Sequence, residues 1–239
     1  MRKMVYSKDH LTFFAHYKTP EEHRHFAKHL IFGVGDQIEC SVKGSRFTCG
    51  GICIGSDVLH TVAAQGTNIL IMLIDETSEL SCYLEKTYLR GRGYCILDEI
   101  IAAQVSDLCR KQTDMERLDT GVLSICSPQT VGPAVSDERI LDVLQAIKES
   151  ESIDKGTLSG LCDIACLSKS RLSHLFRQQV KTPLKSYLVI AKMEKTYRYV
   201  IQGENLTTAA IHAGFNSSSH FSVTCKKLFG ISFSDFLRQ

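Results

Sequence analysis

The chain has 239 residues, of which 44% are hydrophobic and 23% are charged, and its net charge is +2 at pH 7. This length is enough for two domains, and the composition is that of a globular protein, which excludes a fibrous or largely disordered chain. The charge is unevenly placed: residues 168–239 carry 11 Lys/Arg against 3 Asp/Glu, a net of +8, whereas residues 1–112 carry 13 of each. A basic C-terminal third is the electrostatic pattern of phosphate binding.

No stretch predicts a membrane span or a secreted protein. The longest obvious apolar block, residues 69–74, is far shorter than the ~18 residues of a membrane helix. The N-terminus lacks the charge, apolar core and cleavage site of a signal peptide, so we expect the protein to stay in the cytoplasm. The ten cysteines include no C-x-x-C pair, and we expect them to be small buried apolar residues.

Residues 5–75 predict β structure. Short apolar runs broken by glycines indicate an antiparallel barrel or jelly roll, and the predicted strands are 11–15, 28–33, 37–42, 52–54 and 69–74. The order HRHFAKHLIF, a turn, QIECSVKG, a glycine pair and ICIGSDVLHTV resembles the small cupin barrel. We therefore predict a cupin-like β-barrel as the sensing and dimerisation domain, residues 1–112.

The candidate ligand-binding residues of this barrel are His23, His25, His29 and His60. The resemblance implies metal-binding positions at an H-x-H pair, a glutamate and a later histidine; His23, His25 and His60 fit three of them, and His29 lies near the glutamate's place. Alternation along a strand puts both members of H-x-H on one face. Three alternatives stay open: a small-molecule pocket, a metal site, or a barrel that only packs and dimerises. The sequence assigns no cofactor and no metal.

Residues 77–112 predict helices, with two clear stretches at 79–88 and 96–109. The second has an apolar stripe at helical spacing that either packs on the barrel or forms a dimer contact. Residues 113–135, with Pro128, Gly132 and Pro133, predict an interdomain linker. A helix that starts at Ser136 or Asp137 then opens an all-α C-terminal domain, residues 136–239.

Residues 158–179 predict a helix-turn-helix. A short helix over 158–165 is followed by a turn at 166–167 and an N-cap at Ser168. The next helix, KSRLSHLFRQQ, has apolar residues at i, i+3 and i+4 on its inner face. Its outer face offers candidate DNA-binding residues: Ser170, Arg171, Ser173, His174 and Arg177.

A long helix is predicted from Pro183 to about Gln202, and Gly203 ends it. A second helix-turn-helix then follows over 207–230. We expect Gly214 to end its first helix, Phe215 to enter the core, and Asn216 or Ser217 to cap the second helix. The candidate DNA-binding residues are Ser217, Ser218, Ser219, His220, Lys226 and Lys227. Short polar groups near a helix N-terminus, with lysines further on, suit the major groove. The alternative is an ordinary helical hairpin with a solvated polar face.

Two such units joined by one long helix, with AGF in the second turn and HF…KKLFG in the last helix, resemble the DNA-binding domain of the AraC/XylS family of bacterial regulators. The resemblance covers 136–239, and its matching positions include Leu172, Phe176, Pro183, Tyr187, Met193, Gly214, Phe215, Phe221, Phe229 and Gly230. The departures are Lys181, Val223, Cys225 and Phe233. Val223 stands where the family usually has a basic residue that faces DNA.

The resemblance implies a regulator that binds double-stranded DNA and performs no catalysis. It also implies RNA polymerase as a partner, a small-molecule effector held by the N-terminal barrel, and a homodimer through the helices after the barrel. Two alternatives remain: a regulator controlled by a protein partner or by no ligand, and a metal-dependent cupin enzyme.

Overall fold

The computed structural model describes residues 4–7, 10–16, 21–64, 68–127, 135–180 and 182–229, with no side-chain description for 4, 6 and 227–229. The chain divides into two compact units, of which the second spans Ala134–Lys226. Pro128, Gly132 and Pro133 of the predicted linker, together with Gly230 and Phe233, lie outside the described residues.

The N-terminal unit holds two antiparallel sheets. Its strands are β1 (Met4–Tyr6), β2 (His10–Ala15), β3 (Lys28–Gly33), β4 (Ile38–Val42), β5 (Ser45–Cys49), β6 (Gly51–Ile54), β7 (His60–Ala63), β8 (Ile69–Ile74) and β9 (Tyr94–Ile96). One sheet has the order β1-β2-β8-β3-β6-β9, and the other has the order β5-β4-β7. The predicted closed barrel is therefore corrected to two separate sheets among the described residues.

All five predicted strands are present, as β2, β3, β4, β6 and β8. The two central strands are the easiest to recognise, because β3 is buried along its whole length and β8 at all but one position. Strands β1, β5, β7 and β9 were not predicted. They are short, and β5 is largely exposed, so its residues show little hydrophobic alternation.

Three helices cover the larger sheet: α1 (Glu79–Leu84), continued by a π-helical segment (Glu85–Leu89), α2 (Glu99–Lys111) and α3 (Met115–Cys126). The α2 stripe packs on the unit's own core through Val105, whereas Ile100 is 68% exposed. Helix α3 lies within the predicted linker, residues 113–135, so that prediction is corrected for the residues of this helix. Its side chains Met115, Leu118 and Val122 are buried in the same core.

Two buried polar clusters hold these helices to the sheet. Lys28 Nζ lies 2.9 Å from a Glu76 carboxylate oxygen and 2.9 Å from Ser81 Oγ, inside the unit. On α3, the Asp119 carboxylate accepts hydrogen bonds from Ser7 and Thr12 and lies 2.8 Å from His10 Nε2. The second cluster connects α3 to β2 and to the turn between β1 and β2, so this helix is part of the N-terminal unit.

The C-terminal unit is helical in its described part: α4 (Glu138–Glu149), α5 (Thr157–Ile164), α6 (Lys169–Val180), α7 (Leu184–Ile201), α8 (Leu206–His212) and α9 (Ser218–Phe229). Its core includes the inner faces of α4, α5 and α6, with Ile140, Leu161 and Phe176 buried. Among the described residues, no helix is both long and apolar enough to cross a membrane.

Candidate functional site

The turn between α5 and α6 forms as predicted. Cys166 adopts a left-handed backbone conformation (φ 51°), which reverses the chain direction. Ser168 then caps α6, since its Oγ accepts the backbone N–H of Arg171 at 3.4 Å. This capping satisfies one of the free N–H groups at the helix start and fixes where the exposed face of α6 begins.

Helix α6 divides into an inner and an outer face. Leu172 and Phe176 are fully buried against the helical core, and Leu175 is half-buried. All five candidate residues of this helix are exposed: Ser170, Arg171, Ser173, His174 and Arg177. The helix contains no acidic residue, so its outer face is cationic.

Gly214 ends α8 in the predicted left-handed conformation, with φ at 103°. A Cβ at this position would lie 2.1 Å from the carbonyl oxygen of Ile153, so only glycine fits. Phe215 is buried against Phe221, with ring centroids 5.2 Å apart. Ser217 is the cap, because its Oγ accepts the backbone N–H of His220 at 3.0 Å.

Helix α9 likewise presents a polar outer face. Ser217 and Ser218 are half-buried, and Ser219, His220 and Lys226 are exposed. The side chain of Lys227 lies outside the described residues. Val223 is 68% exposed, so an apolar side chain stands in the middle of this face. The helix has no acidic residue.

Helix α7 connects the two helix pairs and is tied to the main chain on both sides. Lys192 Nζ donates to the carbonyl of Gly214 at 2.7 Å, next to the α8–α9 turn. Lys195 Nζ donates to the carbonyls of Lys148 and Ser150, at the end of α4. Burial lowers the pKa of both lysines. These contacts fix α8 and α4 relative to one long helix.

One residue near α6 was missed by sequence reasoning. Arg139 of α4 lines an open groove of about 430 Å³ together with Leu167, Ser170, Arg171, His174 and Leu175. Its guanidinium is held by Asp137, with Nε and Nη2 at 3.0 and 2.8 Å from the two carboxylate oxygens. No local pattern marks Arg139, because its proximity to α6 arises only from packing between helices.

Four histidine rings meet in the N-terminal unit. His23 and His60 exchange backbone hydrogen bonds of 3.1 and 3.0 Å in an isolated bridge, and His25 lies two residues further on. The ring centroids of His25 and His29 are 4.3 Å apart, and those of His29 and His60 are 4.8 Å apart. One potential ligand atom from each of His23, His25 and His60 lies within 4.8 Å of the others. The predicted cluster is therefore assembled, although His23 and His25 are not in a regular strand.

The imidazoles of this cluster are held neutral. Burial lowers the pKa of His25 and His29 well below the usual value, and the neighbouring imidazoles lower it further. Burial also lowers the pKa of His60 to about 4, against an opposing hydrogen bond with the Val58 carbonyl. The pKa of His23 is lowered by the same cause. Neutral imidazole is the form that offers a lone pair to a ligand.

Comparison with known proteins relates the C-terminal unit to a known family. Residues 161–239 match the family described as a helix-turn-helix domain. The chain is 29% identical to the arabinose operon regulatory protein of Salmonella typhimurium over 102 residues, which is 42% of this chain and 36% of that protein. The same regulator of Escherichia coli is 28% identical over 102 residues. The aligned part spans only about a third of these relatives' own length.

Solved structures extend the similarity to the whole fold. An apo form of a single-residue variant of ToxT from Vibrio cholerae matches with a TM-score of 0.61 at 10% identity, over 97% of this chain and 98% of that one. Wild-type ToxT bound to an unsaturated fatty acid matches with a TM-score of 0.59 at 13% identity, over 99% and 97%. The ToxT structures show a shared fold. The family match places a helix-turn-helix domain at residues 161–239, and the chain is similar over 102 residues to the arabinose operon regulatory proteins.

Proposed function

We propose that this chain is a cytoplasmic transcription regulator that binds double-stranded DNA through two helix-turn-helix units, α5–α6 and α8–α9. The main support is the outer face of α6 inside a matched helix-turn-helix domain, where Arg171, His174 and Arg177 are exposed and the opposite face is buried. Arginine suits both guanine edges and phosphates in the major groove.

In this proposal α7 sets the spacing of the two recognition helices, α6 and α9. Its 18 residues correspond to a length of about 27 Å at ~1.5 Å per residue. Successive major-groove sites on one face of DNA lie roughly 34 Å apart. A connecting helix of this length is suited to placing α6 and α9 in consecutive grooves.

The two units are proposed to contribute unequally. Helix α6 carries two arginines beside His174, and a bidentate arginine–guanine contact is worth about 1–3 kcal/mol of discrimination. Helix α9 offers serines, exposed Val223, and lysines only near its end. We therefore assign most of the sequence specificity to α6, and mainly affinity and register to α9. Competition binding with single-base operator variants tests this division, and equal sensitivity of both half-sites would contradict it.

Salt titration of DNA binding tests the basic interface itself. If Arg171, Arg177, Lys226 and Lys227 contact about four phosphates, affinity should fall about 150-fold between 50 and 200 mM salt, because the log–log slope is about −0.9 per contact. Fluorescence anisotropy with a labelled promoter fragment measures this slope. Arg171→Ala should flatten it by about one unit, whereas Arg46→Ala, an exposed arginine of β5, is the matched control. A flat response of the unmodified protein would refute this mode of binding.

For the N-terminal unit we propose an effector-binding role, with the site at His23, His25, His29 and His60. The ToxT structure with a bound unsaturated fatty acid supports ligand binding in this fold. The convergence of four neutral rings, of which those of His25, His29 and His60 are buried, supports the location. Replacing His25 or His60 by alanine should change the effector response while DNA is still bound. Unchanged response in both variants would favour the alternative of a protein partner or of no ligand.

The partners that remain proposals are RNA polymerase and a second copy of the chain. Ile100 of α2 is 68% exposed beside a stripe that otherwise packs inward, which supports a dimer contact at this position. Ile100→Glu should then lower the apparent mass measured by analytical ultracentrifugation. The matched helix-turn-helix domain favours a regulator over the cupin-enzyme alternative.

A further inference from the structure

Two cysteines of the N-terminal unit lie close enough to react with each other. Cys40 of β4 and Cys49 of β5 have sulfur atoms 3.8 Å apart, and the two residues are 3% and 6% exposed. The β4–β5 hairpin brings them together. The sequence predicted only small buried apolar residues at these positions. Two thiols in contact can also form a disulfide, which a single buried cysteine cannot do within its own unit.

The register of the hairpin puts both side chains on the same face of the sheet. Cys49 pairs with Ile38, and Cys40 pairs with Phe47, so the two cysteines occupy diagonal positions. Diagonal residues have Cα atoms about 7–8 Å apart, whereas disulfides usually join Cα atoms about 4.4–6.8 Å apart. Closing the sulfur–sulfur distance to the ~2.05 Å of a disulfide therefore requires β5 to shift against β4.

The position of β5 permits this shift. It is the edge strand of the sheet β5-β4-β7, so among the described residues it shares ladder hydrogen bonds with β4 alone. A disulfide that departs from relaxed geometry is reduced more easily than a relaxed one. Disulfides in a reducing compartment are usually of this transient kind. The pair is therefore suited to a reversible bond and not to a permanent structural one.

The two thiols differ in acidity. The Cys40 thiol donates to the Cys49 sulfur, which lowers the pKa of Cys49 and raises the pKa of Cys40. Burial opposes the change at Cys49, and a main-chain hydrogen bond from Gly51 adds to it. Because the thiolate is the nucleophile in thiol oxidation, Cys49 is the residue that reacts first. Burial raises the pKa of the neighbouring Cys53, which is fully buried and stays a thiol.

From these observations we propose that Cys40 and Cys49 form a reversible disulfide within one chain when the protein is exposed to a peroxide. The Cys49 thiolate attacks a peroxide oxygen, the O–O bond breaks, and the departing hydroxide takes up the proton that Cys49 had released. The Cys40 sulfur then attacks the sulfenic acid of Cys49, so an S–S bond forms and water leaves with the Cys40 proton. The cysteine pair is oxidised by two electrons and the peroxide is reduced by two. A dithiol reverses the change by exchange.

This bond would form beside the proposed effector site. Strand β4 also pairs with β7, where Val42 lies opposite His60. A shift of the hairpin at Cys40 therefore acts on the strand that is hydrogen-bonded to the His60 segment. Oxidation gives the N-terminal unit an input that is separate from an effector molecule. Only this regulatory meaning rests on the proposed function, because the chemistry of the pair requires neither DNA nor an effector.

Peptide mapping of the full-length protein tests the bond. Reduced protein is treated with hydrogen peroxide, the peroxide is removed with catalase, and free thiols are alkylated before digestion with trypsin. Trypsin cuts after Lys43 and Arg46, so Cys40 is in peptide 29–43 and Cys49 is in peptide 47–86. A disulfide between them joins two otherwise separate peptides. We expect this linked pair after peroxide treatment, and we expect dithiothreitol to remove it.

Cys40→Ser and Cys49→Ser should each abolish the linked pair. Cys53→Ser changes a cysteine of the same tryptic peptide, 47–86, and is the matched control that should retain it. In Cys40→Ser the sulfenic acid of Cys49 should accumulate and be trapped by dimedone. Circular dichroism verifies that each variant is folded. Absence of the linked pair in the unmodified protein, or its persistence in Cys49→Ser, would overturn the proposal. The assay contains no DNA and no effector, so its outcome is independent of whether the chain is a regulator.

Discussion

Gly214→Ala should destabilise the C-terminal unit far more than a glycine replacement usually does. Gly214 combines a positive φ of 103° with close contact to another chain segment, since an added Cβ would lie 2.1 Å from the Ile153 carbonyl oxygen. Gly203, at the end of α7, has nearly the same φ of 104° but no atom within 4 Å of an added Cβ. The two positions therefore separate backbone strain from steric overlap.

The magnitude follows from these two contributions. A left-handed conformation costs an alanine about 1–2 kcal/mol at either position. At Gly214 the Cβ–oxygen distance is about 1.2 Å shorter than an ordinary contact of ~3.3 Å, so the segments must separate. Separation breaks the hydrogen bond from the Ile153 N–H to the Ala213 carbonyl, worth about 1 kcal/mol, and disturbs the packing around it. We expect a loss of about 3–5 kcal/mol for Gly214→Ala and about 1–2 kcal/mol for Gly203→Ala.

Urea unfolding of the full-length variants, followed by circular dichroism at the helical band, measures this difference. Gly160→Ala is a third member of the series: Gly160 lies inside α5 with an ordinary φ and open space, so alanine should stabilise by about 0.5–1 kcal/mol. Hydrogen exchange of the Ile153 amide gives a local readout and should accelerate only in Gly214→Ala. If Gly214→Ala and Gly203→Ala differ by less than about 0.5 kcal/mol, the steric argument is wrong.

Three other changes test separate parts of the molecule. Val223→Lys should tighten DNA binding and steepen the salt slope by about 0.9, measured by anisotropy, because it adds a cation to an exposed position of α9. Although burial raises the pKa of Asp119, hydrogen bonds from His10, Thr12 and Ser7 outweigh it and lower the pKa. The stability that Asp119 adds is therefore present above its unfolded pKa of about 3.9 and is lost as the pH falls through the folded pKa. Asp119→Asn should consequently remove part of the acid-dependent loss of stability seen in urea unfolding below about pH 4. An unchanged pH profile would count against this prediction. Lys28→Met should cost about 3–5 kcal/mol at pH 7, because it leaves the Glu76 carboxylate buried without its cation, and Lys28→Met/Glu76→Gln should recover most of the loss.

The C-terminal helices could be predicted from sequence because the spacing of apolar residues and the residues at the helix ends lie within each helix or beside it. The buried positions Leu172 and Phe176 recur at helical spacing, and Gly214 and Ser217 mark a helix end and a helix start that the structure confirms. These signals are local. The groove at Arg139 has no local signal, because it depends on how α4 packs against α6.

Helix α3 shows how a signal can be misread. The predicted linker over 113–135 rests on Pro128, Gly132, Pro133 and scattered polar residues. Gly121 lies inside α3 instead, where an added Cβ would be 2.6 Å from Leu108 Cδ2 of α2. The glycine therefore permits close helix packing, a role that depends on a partner helix and that composition cannot reveal. The histidines differ again: their spacing predicted a cluster, but the main-chain carbonyls that orient His23 and His60 are visible only in the structure.

The lysine contacts of α7 hold the C-terminal unit together without using the charges of its proposed DNA interface. Lys192 and Lys195 donate to main-chain carbonyls, which carry no net charge, and Lys195 is only 3% exposed. Mobile ions screen attraction between exposed charges strongly but affect a buried charge–dipole contact little. Raising the ionic strength should therefore loosen the grip on phosphates while leaving the arrangement of α4, α7 and α8 unchanged. In concentrated salt the affinity for DNA should therefore fall, whereas the spacing between α6 and α9 should stay the same.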